Sequence, residues 1–252
     1  MRIPFYSFII FILFCLVPYH GFPYIIKVKK NESELSLHME VYQSDFDSAG
    51  TFLANGKYLK AESSYKNIIK KIENIRDNTL DDGNLYTVLA RAYMGLGFAL
   101  DYLKKDVDAL RALKKALKID QRLKNNLILQ TTIGAVYGDL GFHVKEIEHY
   151  IEVINNNPNF YKAYFNLALA LGEMGRMNEA MDWLEKVVKI KPDYAKAYLQ
   201  LAKGSELMGK YNRSIEYYLI ARRLYSNAGN YKAENEINLR LKLLLKNYGK
   251  SS

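Results

Sequence analysis

Pro158 and Pro192 stand 34 residues apart, and Gly141, Gly175 and Gly209 keep the same interval through three consecutive segments. A fixed period of this length describes one supersecondary unit stacked on copies of itself, since a single unit cannot bury its apolar face alone. No other feature of the chain restricts its fold so narrowly. Stacked repeats make a surface for holding something, and the sequence describes that surface far better than its ligand.

The aligned segments are 127–160, 161–194 and 195–228. Each opens with an apolar stripe: Tyr164, Leu167, Ala168 and Leu171 in one, Tyr198, Leu201 and Ala202 in the next. The spacing i, i+3, i+4, i+7 puts these residues on one face of a helix. A glycine turn follows, then a second helix with Ala180, Leu184 and Val187, or Ser214, Tyr218 and Ala221, as its stripe. Pro158 and Pro192 stop the second helices, because proline lacks an N–H and clashes with the preceding turn.

Small residues recur where helices approach within about 8–10 Å: Gly134, Ala168 and Ala202 on first helices, Ala180, Ser214 and Ala221 on second ones. The aromatic–Leu–small opening, the mid-unit glycine, the small residue in the second helix and the terminal proline together resemble the tetratricopeptide repeat family. That resemblance implies an all-α fold, an α-solenoid of stacked helix-turn-helix repeats wound as a right-handed superhelix. Upstream the register continues in weaker form. Tyr93, Gly97, Leu100, Ala109, Leu113 and Ala116 keep it, but Lys104 stands at the turn and Gln121 at the stop; Ala49, Phe52, Gly56, Ala61, Tyr65 and Ile68 form an earlier unit. Glu146 occupies a slot the family fills with a small residue, and its carboxylate is expected to reach solvent along the helix edge.

About five repeats are therefore expected over 42–228, at 42–75, 90–123, 127–160, 161–194 and 195–228, with an irregular connector from Arg76 to Asn84. Residues 27–41 read as a linker and the start of the first helix. Over 229–252 a capping helix, Tyr231–Lys246, offers Ile237, Leu239, Leu241 and Leu244 for one face. A polar-faced cap is what an open stack needs for solubility.

The first 26 residues carry one Lys or Arg, Arg2, and an apolar run from Phe5 to Val17. A short basic start and a run of about 7–15 apolar residues describe a secretory signal peptide. A spanning helix needs about 20 residues, which this stretch reaches only with Pro18 to Ile26. Tyr19-His20-Gly21 is a poor processing site, so residues 5–26 read as either a signal peptide or a membrane anchor. The expected location is exported, periplasmic or extracytoplasmic, or membrane-anchored. Lys27, Lys29 and Lys30 after the run pull against a topology with the body outside. Cys15 reads as one more apolar residue, since Ile12-Leu13-Phe14 lacks the small residue a lipidated cysteine needs before it.

Chemistry is sparse. His38, His143 and His149 have no metal-ligand partners at usable spacing and read as surface residues, so neither a metal nor another cofactor is expected. Gly95-Leu96-Gly97 lies inside an apolar helix and reads as close packing rather than a phosphate loop. Asn212 reads as a helix-starting residue. With no catalytic constellation legible, an enzyme is not expected. The net charge is +9. Acidic and basic residues are interspersed and the tyrosines fall at core spacing, so nucleic acid is not the expected partner, and anionic lipid or an acidic protein is a better one.

A second stripe on each first helix is not needed for stacking. It comprises Lys162, Phe165, Asn166 and Leu169, then Lys196, Leu199, Gln200 and Lys203, with Arg91, Met94 and Phe98, and Ile128, Thr131, Thr132 and Ala135, upstream. In the family these positions line a concave peptide-binding groove. The resemblance therefore implies Arg91, Met94, Phe98, Thr131, Lys162, Phe165, Asn166, Leu169, Lys196, Leu199, Gln200 and Lys203 as groove residues. Phe165 and Leu199 have an alternative reading, as packing against the neighbouring repeat. Some family members clamp a C-terminal carboxylate with five polar residues; Asn166 and Lys196 match two of those slots, while Thr131, Ala135 and Gln200 do not match theirs. A partner segment with apolar side chains and some negative charge fits better. The expectation is a scaffold for one or more proteins or peptides, contacting a membrane through its N-terminal segment and serving cell-envelope assembly; the alternative is a protein that binds anionic lipid through its basic face.

Overall fold

A computed structural model describes residues 33–76 and 83–248, with side chains from 43 to 74 and from 85 to 248. The leader at 1–26 and the lysines that follow it lie outside the described residues, as does most of the connector. The described chain forms α1 (Ser33–Ala54), α2 (Tyr58–Arg76), α3 (Gly83–Tyr102), α4 (Asp106–Ile119), a 3-10 turn at Gln121–Asn125, α5 (Leu127–Asp139), α6 (His143–Asn156), α7 (Tyr161–Glu173), α8 (Met177–Ile190), α9 (Ala195–Leu207), α10 (Tyr211–Asn227) and α11 (Tyr231–Tyr248). No strand occurs among these residues. The fold is an all-α solenoid of helix pairs closed by a final helix.

Every turn inside a pair is built the same way. Gly141, Gly175 and Gly209 have φ of 78°, 76° and 72°, a left-handed conformation that costs a residue without Cβ nothing. The amide one position later then donates to the carbonyl five residues back: Phe142 to Tyr137 at 2.8 Å, Arg176 to Leu171 at 2.9 Å, Lys210 to Ser205 at 2.8 Å. This closure satisfies carbonyls that the helix end would otherwise leave open. Lys104 makes the same turn at φ 56° without being glycine. The proline stops act as expected, with α6 and α8 ending at Asn156 and Ile190. Without a proline, α4 ends through Asp120, whose carboxylate accepts the Arg122 amide, and α5 is restarted by Asn126, whose side chain accepts the Leu129 amide.

The expected stripes are the core. Leu167, Leu171, Leu201, Ala202, Val187 and Ala221 are buried, as are Leu113, Ala116, Ala61 and Ile68 upstream. Close approaches are steric facts: a Cβ on Gly95 would lie 2.3 Å from the Tyr65 ring and one on Gly97 2.3 Å from Leu113. The buried Ser214 hydroxyl donates to the Ala202 carbonyl at 2.9 Å, joining α10 to α9.

Several expectations need correction. Glu146 does not reach solvent; it is buried, because Gly138 on α5 leaves room for its carboxyl group and His143 Nδ1 lies 3.3 Å away. Burial pushes its carboxyl above the usual range, with Glu173 and Asp139 adding in the same direction. His149 is half-buried rather than on the surface, its ring 5.9 Å from that of Tyr137, and burial lowers its pKa. Asn212 starts nothing: α10 begins at Tyr211 after Lys210, with no side-chain cap. Leu239 is exposed while Ile237, Leu241 and Leu244 are buried, since it sits off the i, i+4, i+7 line they share. Helix α1 begins at Ser33, inside the 27–41 stretch read as linker and start of the first helix, α3 begins at Gly83, and α11 runs on to Tyr248, two residues past Lys246.

Candidate interaction groove

Which helices line the inside follows from the packing. Helix α3 touches both α1 and α5, and α5 touches α7, while no comparable contact joins α2, α4, α6, α8 and α10 to one another among the described residues. Helices α1, α3, α5 and α7 therefore sit on the tighter, inner side of the curve. The second stripe expected from the sequence lies on α3, α5 and α7 of these, and on α9.

Its members do not all face open space. Lys162, Lys196 and Lys203 are exposed, and no carboxylate among the described residues pairs with them. Leu169, Leu199, Gln200 and Asn166 are half-buried. Leu169 and Leu199 pack against the neighbouring core while keeping an accessible side. Asn166 hydrogen-bonds the Tyr150 phenol, whose own pKa is pushed up by burial. Leu169 on α7 and Leu199 on α9 are thus partly open apolar residues on helices that also carry the exposed Lys162, Lys196 and Lys203.

Two expected groove residues are core. Phe165 is 8% exposed and packs edge-on against Tyr194, ring centroids 5.2 Å apart. Its alternative reading, packing on the next repeat, is the correct one. Thr131 is buried and turns its hydroxyl onto the Leu127 carbonyl of its own helix at 2.8 Å. Upstream, Arg91 lies over the Phe46 ring at 5.6 Å, Met94 Sδ accepts from the Asn126 amide at 3.8 Å, and Phe98 is half-buried against the first core. That end of the stripe is drawn into α1 and α5 and offers less open surface.

Sequence reading missed an aromatic cluster where the start of α7 meets the α8–α9 link. Tyr161 and Tyr194 meet with centroids 4.9 Å apart, and Phe165 completes the group. Burial raises the Tyr194 phenol to about 12. Sequence reading also did not bring together Asp101, Asp106 and Asp139, whose carboxylate oxygens lie within 4.8 Å of one another at the α3–α4 turn. Lys104 Nζ donates to Asp139 there at 2.7 Å.

This arrangement is that of a helical-repeat protein with an inner stripe. A sequence model described as tetratricopeptide repeat matches residues 161–194. Among solved structures, MamA has a TM-score of 0.55 at 21% identity, covering 73% of this chain and 97% of its own. A MamA RS-1 double mutant scores 0.56 at 16% identity, covering 74% and 95%. YrrB, described as a TPR protein with an unusual peptide-binding site, scores 0.52 at 17% identity, covering 79% and 90%. A search of curated proteins found no match. The chain thus contains a tetratricopeptide repeat and has the fold of tetratricopeptide-repeat proteins. No helix among the described residues is long and apolar enough to cross a membrane.

Proposed function

We propose that the chain is a non-enzymatic interaction scaffold that holds a segment of a partner protein along α7 and α9. Three exposed lysines, Lys162, Lys196 and Lys203, with the half-buried Leu169 and Leu199 carry this reading. An extended segment with apolar side chains and carboxylates fits these residues: the leucines supply desolvated contact and the lysines select charge and speed encounter. The peptide-binding site reported for YrrB, on the same fold, supports it. Export or membrane tethering through residues 5–26, and work in cell-envelope assembly, belong to this proposal and rest on the apolar N-terminal run.

Selection of a random-peptide library on the full chain tests the groove. Peptides combining apolar residues with Asp or Glu are expected to be enriched. Leu199→Ala with Lys196→Glu should weaken their capture by about 30-fold or more while helix content is retained. Unchanged capture by that folded double variant would remove the groove from consideration.

A further inference from the structure

Helix α11 closes the stack with one face packed and the other open. Ile237, Leu241 and Leu244 are buried in a core shared with Tyr218 and Ala221 of α10 and Ala202 of α9. The opposite face carries Glu236, Leu239, Leu243 and Lys246, all exposed, with Leu239 63% and Leu243 45% open. No element among the described residues covers it.

These four residues are spaced 3, 4 and 3 apart. That is the interval at which side chains form a single seam on a helix that pairs with another. Glu236 and Lys246 stand at the two ends of the seam, and neither forms an ion pair among the described residues. Leu207, at the end of α9 and 76% exposed, borders the same recess as Leu243 and widens the apolar patch on one flank. On that flank Arg240 is held by Glu206. Lys242 stands on the other flank, where its long stem lets the ammonium reach solvent. Lys232 extends the seam by one turn, and the position that would oppose it, 250, lies outside the described residues.

The seam reads the same in both directions except for the sign of its ends. Turned end for end about a two-fold axis level with Leu241, it sets Leu239 on Leu243 of a second copy, and Leu243 on Leu239 of that copy. The same turn brings Glu236 against Lys246 of the second copy at both ends. A parallel pairing would instead set like charges together. Apolar and charged positions therefore agree on one orientation, with the self-complementarity of an isologous contact, in which residue i meets j and j meets i.

We propose that α11 pairs antiparallel with α11 of a second copy of this chain, joining two solenoids through their final helices. A single helix seam is a small interface, so the dimer is weak and dissociates on dilution. The groove reading does not enter this proposal.

Sedimentation equilibrium of the full chain in a density-matched nonionic detergent, which leaves charges unscreened, tests the pairing across the micromolar range. A monomer–dimer equilibrium is expected. Glu236→Lys alone, or Lys246→Glu alone, should weaken dimerisation by about 10-fold or more, because each reversal makes both end contacts repulsive. The double variant, and an equimolar mixture of the two single variants, should restore it, since each regains opposite charges at both ends. Leu239→Ala with Leu243→Ala should leave monomer alone while helix content is kept, both side chains being exposed. A wild-type chain that stays monomeric, or association that ignores the reversals, overturns the proposal and leaves the seam to lipid or to a different protein. Loss in the single variants without recovery in their mixture overturns it as well, because the two ends would then not meet each other.

Discussion

The Glu146 carboxyl group lies where a side chain on Gly138 would be: a Cβ there would stand 2.5 Å from its carboxyl carbon. The large residue on α6 is thus accommodated by a glycine on α5. Gly134, one turn earlier, faces the Tyr150 ring at 2.6 Å on the same criterion. The two positions differ in what must move. Glu146 can swing its flexible end outward, whereas Tyr150 is locked in the core. Gly138→Ala should therefore change stability by less than about 1 kcal/mol, since the gain in helix propensity offsets the displacement. Gly134→Ala should destabilise by about 1–3 kcal/mol through overpacking. Denaturant unfolding measures both, and equal losses would show that Glu146 is as fixed as Tyr150.

Asp101 gives stability a pH dependence. Burial first, then Asp139 and Asp106, raise its carboxyl from the usual 3.8 to about 6, against a lowering by Lys104. The folded state therefore holds this proton more tightly than the unfolded chain. Its contribution is fully present below the unfolded value and is lost as pH rises through about 6. Asp101→Asn should raise the melting temperature at pH 7, by up to about 3 kcal/mol in stability terms, and leave it unchanged near pH 4. A gain of the same size at both pH values would contradict the assignment.

Lys104 adopts a left-handed turn that glycine makes freely. Its bond to Asp139 is largely exposed and contributes at most about 1 kcal/mol. Release of backbone strain is worth about 1–2 kcal/mol. Lys104→Gly should accordingly stabilise the protein by about 0.5–1 kcal/mol net, whereas Lys104→Ala keeps the strain and should bring no gain. Thermal unfolding of the two variants separates strain from charge.

Phe165 and Leu199 should part company on truncation. Phe165→Ala empties a buried site against Tyr194 and should cost about 3–5 kcal/mol. Leu199 is half-buried, so Leu199→Ala should cost less than about 2 kcal/mol and leave the stack folded. Similar melting temperatures for the two variants would place Phe165 on the open surface after all.

The repeat interval, the stripes and the glycine turns were legible in the sequence because they are local. Helical period, left-handed φ and proline stops depend on residues within a turn or two, so Gly175, Pro192 and Leu167 announced their roles. The inner stripe was legible as a set of positions but not as a surface. Whether Phe165 is open or buried depends on Tyr194, a residue from the next link, and sequence spacing says nothing of where that ring turns. Glu146 shows the same limit. Its size breaks the pattern of its own helix, and only the pairing of α5 with α6 reveals the glycine that receives it. The sequence by itself determined which segments are helices, where they turn and which faces stack. Tertiary packing alone decided which polar groups are buried, which cations stay free and which way they point, because those outcomes depend on neighbours brought together from distant parts of the chain.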